Sequence, residues 1–476
     1  MAFIETPRGT VPTSGREPWD VIVAGGGVSG CMAAIASARM GARTLLIERY
    51  GFLGGSLSNA GVGPMMTFHA GKRQVVGGLA QELVERLMLL QASPGPIEDT
   101  TGYASSVTPF DPEALKFVLD EMACESGVEV LFHARLAQAC CEGRRVASIR
   151  VAAKGGEQTL EARCFVDATG DGDLAWLSGA AVEQGRQEDG LCQPMTTNMR
   201  IGPVDIAELK AEIRRHPQNF NIRDLSALDR SPRLSVAGFY REFESAKAAG
   251  LLSTQREDVL LFETNQPGEM IANTTRVIHL NPVDPWELSK AEREGRRQAH
   301  ELMRFFKTRC AGFEKAVLLS TGVQIGVRES RRIVGDWMLT QEDLLASRDF
   351  EDAVALGGYP IDIHNPDGAH TKTIRLKPGQ YYRIPLRCLI ARDRDNLLAA
   401  GRCISATHEA CAAIRVSPIA MAVGQAAGTA AALSVRAGCD PRELDPAQVR
   451  AALLRQGAIL CPEENDREGK NDDCQS

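Results

Sequence analysis

Gly25, Gly27 and Gly30 stand in a Gly-x-Gly-x-x-Gly spacing after the apolar run Trp19–Ala24, and Glu48 follows about 20 residues on. Residues of those types at that spacing can hold a pyrophosphate. Gly25 permits a tight turn, Gly27 lets backbone approach the phosphates, and Gly30 lets a helix lie close on a strand. A helix opening at Val28 and Ser29 offers unpaired N–H groups and a partial positive charge. Glu48 can accept a hydrogen bond from a ribose 2′-OH. The chemistry is dinucleotide binding; the fingerprint leaves open which dinucleotide and which reaction.

The elements that must position these groups follow from the hydropathy pattern. Residues 19–24 and 44–47 predict buried strands flanking a small-residue helix. The loop from Gly51 through Gly54-Gly55-Ser56 is too glycine-rich for a regular element. Residues 77–90 and 111–122 predict helices, the second opened by the Asp111-Pro112 cap pair. Residues 128–133 and 146–151 read as strands, and 163–168 as a third buried strand that runs into a glycine turn. Between 183 and 383 the character changes: prolines, polar segments and short β-like runs such as 276–280 surround one long charged helix, 285–310. The strand–turn pattern returns at Asn396-Leu-Leu-Ala-Ala-Gly401-Arg402. An alanine/glycine helix then closes it, with Ser417 as cap, Pro418 in the first turn and Gly438 past the end.

That order predicts an α/β fold: a Rossmann-like domain of the two-dinucleotide type, interrupted by an inserted α+β substrate domain. The expected parts are a leader at 1–17, a discontinuous nucleotide domain at 18–182 and 384–440, and an insert at 183–383. A C-terminal helix at 441–461 and a disordered tail at 462–476 complete it.

Composition narrows the class. The 54 basic against 61 acidic residues leave −7, which argues against nucleic acid as partner. The 13 cysteines form no Cys-x-x-Cys pair, so no metal site, iron–sulfur cluster or redox dithiol is signalled. With no secretion signal, free thiols predict a cytoplasmic protein. Residues 416–435 carry no charge, but their alanine and glycine content and Gln425 predict a close-packed interior helix, not an integral membrane span.

Four separated segments resemble the two-dinucleotide-fold FAD flavoproteins. They are the fingerprint, the Gly54-Gly55-Ser56 loop, Val166-Asp167-Ala168-Thr169-Gly170-Asp171, and Asn396 through Arg402. Within that group the chain is similar to the FAD-dependent oxidoreductase family. Gly326-Val-Arg328-Glu329-Ser330-Arg331-Arg332, Tyr382-Arg-Ile-Pro385, the stretch around His408-Glu409, and Gly424-Gln425-Ala-Ala-Gly428 carry that likeness. A similarity to the fumarate reductase/succinate dehydrogenase flavoprotein group is more distant. The resemblance implies FAD as cofactor. Gly25, Gly27 and Gly30 would hold its pyrophosphate and Glu48 its ribose, while Arg49, Gly54, Gly55 and Ser56 would line the path to the ring. Ala168, Thr169, Gly170 and Asp171 would pass near the adenine end, and Gly401 and Arg402 near the ribityl chain. The helix at Ser417-Pro418, with Gln425 further along it, would face the ring. The second site, nearly 400 residues after the first, needs a cofactor long enough to reach it, which favours FAD over NAD.

On that frame His408 would project near the flavin as general acid or base, or hydrogen-bond structurally within its loop. Arg328, Arg331 and Arg332 could grip a substrate carboxylate, or pair with Glu329 and Asp336. Arg415 could contact a substrate anion or the flavin. Asp362 and His364 read more readily as loop than as site. Cys411 reads as a small buried thiol, and His69 is the alternative point for covalent flavin attachment, without the histidine context of the succinate dehydrogenase group. The leading function is an FAD-dependent dehydrogenase or reductase passing hydride between a small organic, in one form carboxylate-bearing, substrate and flavin N5. The alternatives are a flavin electron-transfer subunit of a larger redox complex and a flavin monooxygenase. Because no second Gly-x-Gly-x-x-Gly follows a strand mid-chain, a quinone or protein electron partner is expected in place of a nicotinamide domain. A homo-oligomer is a further option for partners.

Overall fold

The computed structural model describes residues 17–462; most of the expected leader and tail lie outside them. Trp19–Ala24 runs along the middle of a parallel sheet, paired with Thr44–Ile47 on one side and with the second half of Gly156–Asp167 on the other. Glu129–Leu131 extends one edge and Leu397–Ala399 the other, so the returning strand of residues 396–402 docks beside Phe165–Asp167. Parallel strands covered on both faces read as continuous apolar runs, and Val21–Ala24 is wholly buried. Gly156–Asp167 is twice as long as expected. Its polar first half leaves the parallel sheet and pairs antiparallel with Arg145–Ala153, itself paired with Arg135–Glu142.

The Ala/Gly helix Ser417–Ala437 lies against the fingerprint helix Val28–Arg39, backbone to backbone. A Cβ on Gly424 would stand 2.0 Å from the Ser29 carbonyl oxygen, and one on Gly428 1.9 Å from that of Ala33. Small residues are therefore a packing requirement, and the helix is buried in the fold. Its cap differs from expectation: Val416, with extended backbone, is the N-cap, and Ser417 and Pro418 are the first helical residues. Gly438 ends the helix at φ +66°, as a left-handed C-cap should.

Within the 183–383 segment, five antiparallel strands form a second sheet. Its order is Ser235–Gly238, Val259–Glu263, Met270–Ala272, Met199–Gly202, Val317–Thr321. The helix Pro285–Arg309, capped by the Asp284 carboxylate, packs on a separate core that includes Phe239, Phe243, Phe305, Phe306 and Phe313. The run 276–280 is not the expected strand. The N–H and carbonyl of Arg276 are both taken by the Gln298 side chain, at 2.8 and 3.1 Å, and only Val277 bridges to Met195. A hairpin of Ile361–His364 and Thr371–Ile374 completes the segment. The fold is thus α/β, a Rossmann-like domain with an α+β insertion.

Candidate functional site

One cavity of about 560 Å³ runs from the fingerprint turn to the second sheet and the hairpin. Its dinucleotide end is built of backbone. Gly25 has φ +104°, and a Cβ there would meet the Ala168 carbonyl oxygen at 2.5 Å. Gly27 lines the cavity, and a Cβ there would meet only Gly55 Cα, at an ordinary contact of 3.7 Å. The Ser29 hydroxyl is buried with no partner, an orphan donor at the helix N-terminus that suits a phosphate oxygen. Glu48 lines the cavity; its carboxylate accepts from the Gly26 N–H at 2.7 Å and the Tyr50 N–H at 2.8 Å, and burial raises its pKa. Buried Asp167 fixes the next turn by accepting from Thr169 N–H and Oγ1 at 3.1 and 2.7 Å. Arg402 lies on the wall, donating to Gly170 O at 2.8 Å and Asp171 Oδ1 at 2.6 Å.

Most residues expected to hold the cofactor line this cavity: Val28, Arg49, Gly55, Ser56, Thr169, Gly170, Gly401 and Ser417 join those just described. Gly30, Gly54 and Pro418 lie behind it. A Cβ on Gly30 would stand 1.8 Å from Gly25 O, so Gly30 acts by letting helix and turn touch. Gln425 is elsewhere: its Oε1 accepts from the Leu79 N–H at 3.0 Å and its Nε2 faces Gln456.

The far end is built of charged side chains. Arg328 is half-buried in the cavity wall and donates to Pro194 O at 2.8 Å, Asn273 Oδ1 at 3.0 Å and the Thr196 hydroxyl. All three acceptors are neutral, and among the described residues no carboxylate lies within 4.0 Å of it. Burial and the neighbouring Arg415, Arg276 and Arg256 push its pKa well below the usual guanidinium value. Arg276 shares that environment and is pushed down to about 10 by burial and Arg256. Arg415 makes a 3.7 Å ion pair with the Asp362 carboxylate and donates to the Asp362 carbonyl at 3.5 Å, leaving its Nε buried without a partner; Arg256 Nε is likewise orphaned.

Asp362 organises this end. It accepts from Tyr103 Oη at 2.6 Å and Tyr359 Oη at 3.4 Å, and faces His364 Nε2 at 3.2 Å. Burial alone would raise its carboxyl, but His364, Arg415 and Tyr103 outweigh it and hold it below the ordinary value. Tyr103 is presented by a loop wound on buried Asp99, which accepts from the Thr101, Tyr103 and Ala104 N–H groups.

The structure does not bring His408 to the cavity. Its Nδ1 lies 2.8 Å from Oε2 of the fully buried Glu329, which also pairs with Arg332. Burial would raise the Glu329 carboxyl, but His408 and Arg332 hold it below the usual range. Arg332 further donates to Ala406 O and Gly185 O, and Arg331 to Asp171 O. Of the three clustered arginines only Arg328 lines the cavity, and Asp336 pairs with Arg442 at 3.6 Å instead. Cys411 is buried outside the cavity. His69, half-buried, is also outside it, its Nδ1 2.9 Å from Ser106 Oγ. Sequence reasoning missed Tyr103, Tyr359, Arg256 and Arg276 and underweighted Asp362 and His364. They come from separate segments, with no spacing that announces them.

Among solved structures, the chain is similar to the flavin-dependent brominase Bmp2, at 15% identity and TM-score 0.49, over 92% of this chain and 84% of that one. It is similar to the p-nitrophenol 4-monooxygenase PnpA from Pseudomonas putida at 10% identity and TM-score 0.46, over 96% and 90%. A geranylgeranyl bacteriochlorophyll reductase-like protein from Thermoplasma acidophilum matches at 12% and 0.44, over 95% and 90%. At that level the likenesses bear on neither reaction nor substrate. The family model for FAD dependent oxidoreductases matches residues 20–453, and the chain belongs to that family.

Proposed function

We propose that the chain passes hydride between its FAD and a small organic acid whose carboxylate lies between Arg328 and Arg415. The residues present fit FAD: the orphan Ser29 hydroxyl and the side-chain-free backbone of Gly27 suit a pyrophosphate, and Glu48 a ribose. When bound, FAD supplies the two-electron chemistry at its ring. The observation that carries the substrate class is Arg328, a half-buried cation on the cavity wall whose hydrogen-bond acceptors are all neutral. A guanidinium partly withdrawn from water and crowded by the cations Arg415, Arg276 and Arg256 gains from an added opposite charge, so the site favours an anion. Arg415 has donors to spare and can close on the same carboxylate in bidentate fashion. Asp362 keeps Arg415 and Tyr103 in place, and the hairpin of Ile361–His364 and Thr371–Ile374 screens the anion from water.

The test is anaerobic. FAD-loaded protein is mixed with a panel of organic acids, enoates and amines while the flavin spectrum is followed, starting from the oxidised and from the reduced form. The expected result is bleaching or reoxidation by an acid. If no small molecule alters the spectrum but a co-purifying protein does, the chain is an electron-carrying subunit and the proposal fails.

A further inference from the structure

We propose that His364 is a positioning residue of the anion site, fixed as the neutral Nε2–H tautomer and taking no part in proton transfer. This deepens the reading above and rests on it. The two ring nitrogens face groups of fixed character. Nδ1 lies 3.1 Å from Arg276 Nη2, and a guanidinium can only donate. Nδ1 must therefore present its lone pair. Nε2 lies 3.2 Å from Asp362 Oδ2, and an ionised carboxylate can only accept. Nε2 must therefore carry the proton. Thr371 Oγ1, 3.3 Å from Nδ1, can turn its hydroxyl to suit. Neither nitrogen is left for a substrate.

Burial, with the cations Arg328 and Arg415 nearby, outweighs Asp362 and pushes the imidazole down to about 3, in keeping with a neutral ring. The ring's job is mechanical. Arg276 also donates to Gly368 O at 2.6 Å, His370 O at 3.0 Å and Thr371 Oγ1 at 3.2 Å. Those acceptors belong to the turn and second strand of the hairpin, whereas His364 ends its first strand. The His364 lone pair completes a cage that pins the Arg276 guanidinium, and through it the hairpin, to the cavity wall. Through Nε2–H the same ring steadies Asp362, which aligns Tyr103 and faces Arg415. A His364 of this kind sets where the cations stand, so its loss falls on anion binding and spares the chemical step.

The experiment uses the FAD-loaded protein with succinate as probe, its binding read by perturbation of the flavin spectrum. His364→Gln offers a carbonyl to Arg276 and an N–H to Asp362, and is expected to bind succinate within about threefold of wild type. His364→Ala is expected to weaken it roughly tenfold or more, with FAD content unchanged. With the substrate found by the acid panel, His364→Ala raises KM and leaves kcat within about threefold. Nitrogen-15 NMR of labelled histidine, with no ligand present, is expected to show the Nε2–H tautomer unchanged across pH of about 5 to 8. His364→Gln binding as poorly as His364→Ala, a loss confined to kcat, or a ring that titrates or carries its proton on Nδ1 in that range would overturn the assignment. Failure of wild-type protein to bind succinate or any acid of the panel would instead overturn the anion reading itself. The two failures are separable because the tautomer is read without ligand.

Discussion

The two ends of the cavity each present donors suited to negative charge, and they do so with different parts. At the dinucleotide end the donors are backbone N–H groups and a helix N-terminus, set by three glycines and a buried carboxylate within one short stretch of chain. At the far end they are guanidinium groups: Arg256, Arg276 and Arg328 from the inserted segment, and Arg415 beside the closing helix. A backbone site is rigid and local, and it fails when a side chain intrudes. A side-chain site is assembled from distant segments, and it fails when a charge or one of its struts is removed.

The largest effect should come at the backbone end. Gly30→Val would drive a side chain into Gly25 O, where even a Cβ would stand at 1.8 Å. It is expected to abolish folded, flavin-containing protein, read as the flavin content of the purified chain; a yellow, folded variant would show that the close approach is dispensable. At the charged end the loss should be selective. Arg328→Met is expected to keep FAD bound and lower kcat/KM for the acid about 100-fold, the scale of a lost charge-assisted bidentate contact. His408→Ala should cost stability and spare chemistry. Removing one partner of the buried Glu329–Arg332–His408 group costs about 3 kcal/mol, measurable by denaturant unfolding, while the pH profile of flavin reduction stays that of wild type. Tyr103→Phe, which deletes one hydrogen bond to Asp362, should lower kcat/KM only about fivefold.

The smallest expected effect is that of pH on His364. Its folded pKa, about 3, lies below the ordinary 6.5 of the unfolded chain. The stability it contributes is present above 6.5 and lost as pH falls through 3. The kcat/KM of the acid should show no inflection from this ring between about pH 6 and 8.

The same contrast explains what could be read in advance. The strand–turn–helix around Gly25, the acid at Glu48 and the returning strand at Leu397–Ala399 depend on local steric rules, and those are written in spacing. Arg328 and Arg415 were singled out by type and do face the cavity. His408 was expected there because it lies in sequence between the Gly401 turn and the Ser417 helix. That adjacency says nothing of its rotamer, and its ring turns to Glu329. Gln425 misled for the same reason, since its helix presents it to Leu79. Asp362 and His364 looked like loop because their meaning depends on Tyr103 and Arg276, which only tertiary packing brings alongside.

The most direct test of the central claim compares an organic acid that reduces or reoxidises the flavin with its uncharged amide, in wild type and in Arg328→Met, under anaerobic stopped flow. The account predicts that wild type prefers the acid by about 100-fold and that the preference collapses in the variant with the amide rate little changed. Equal rates for acid and amide in wild type, or a preference that survives the loss of Arg328, would contradict it.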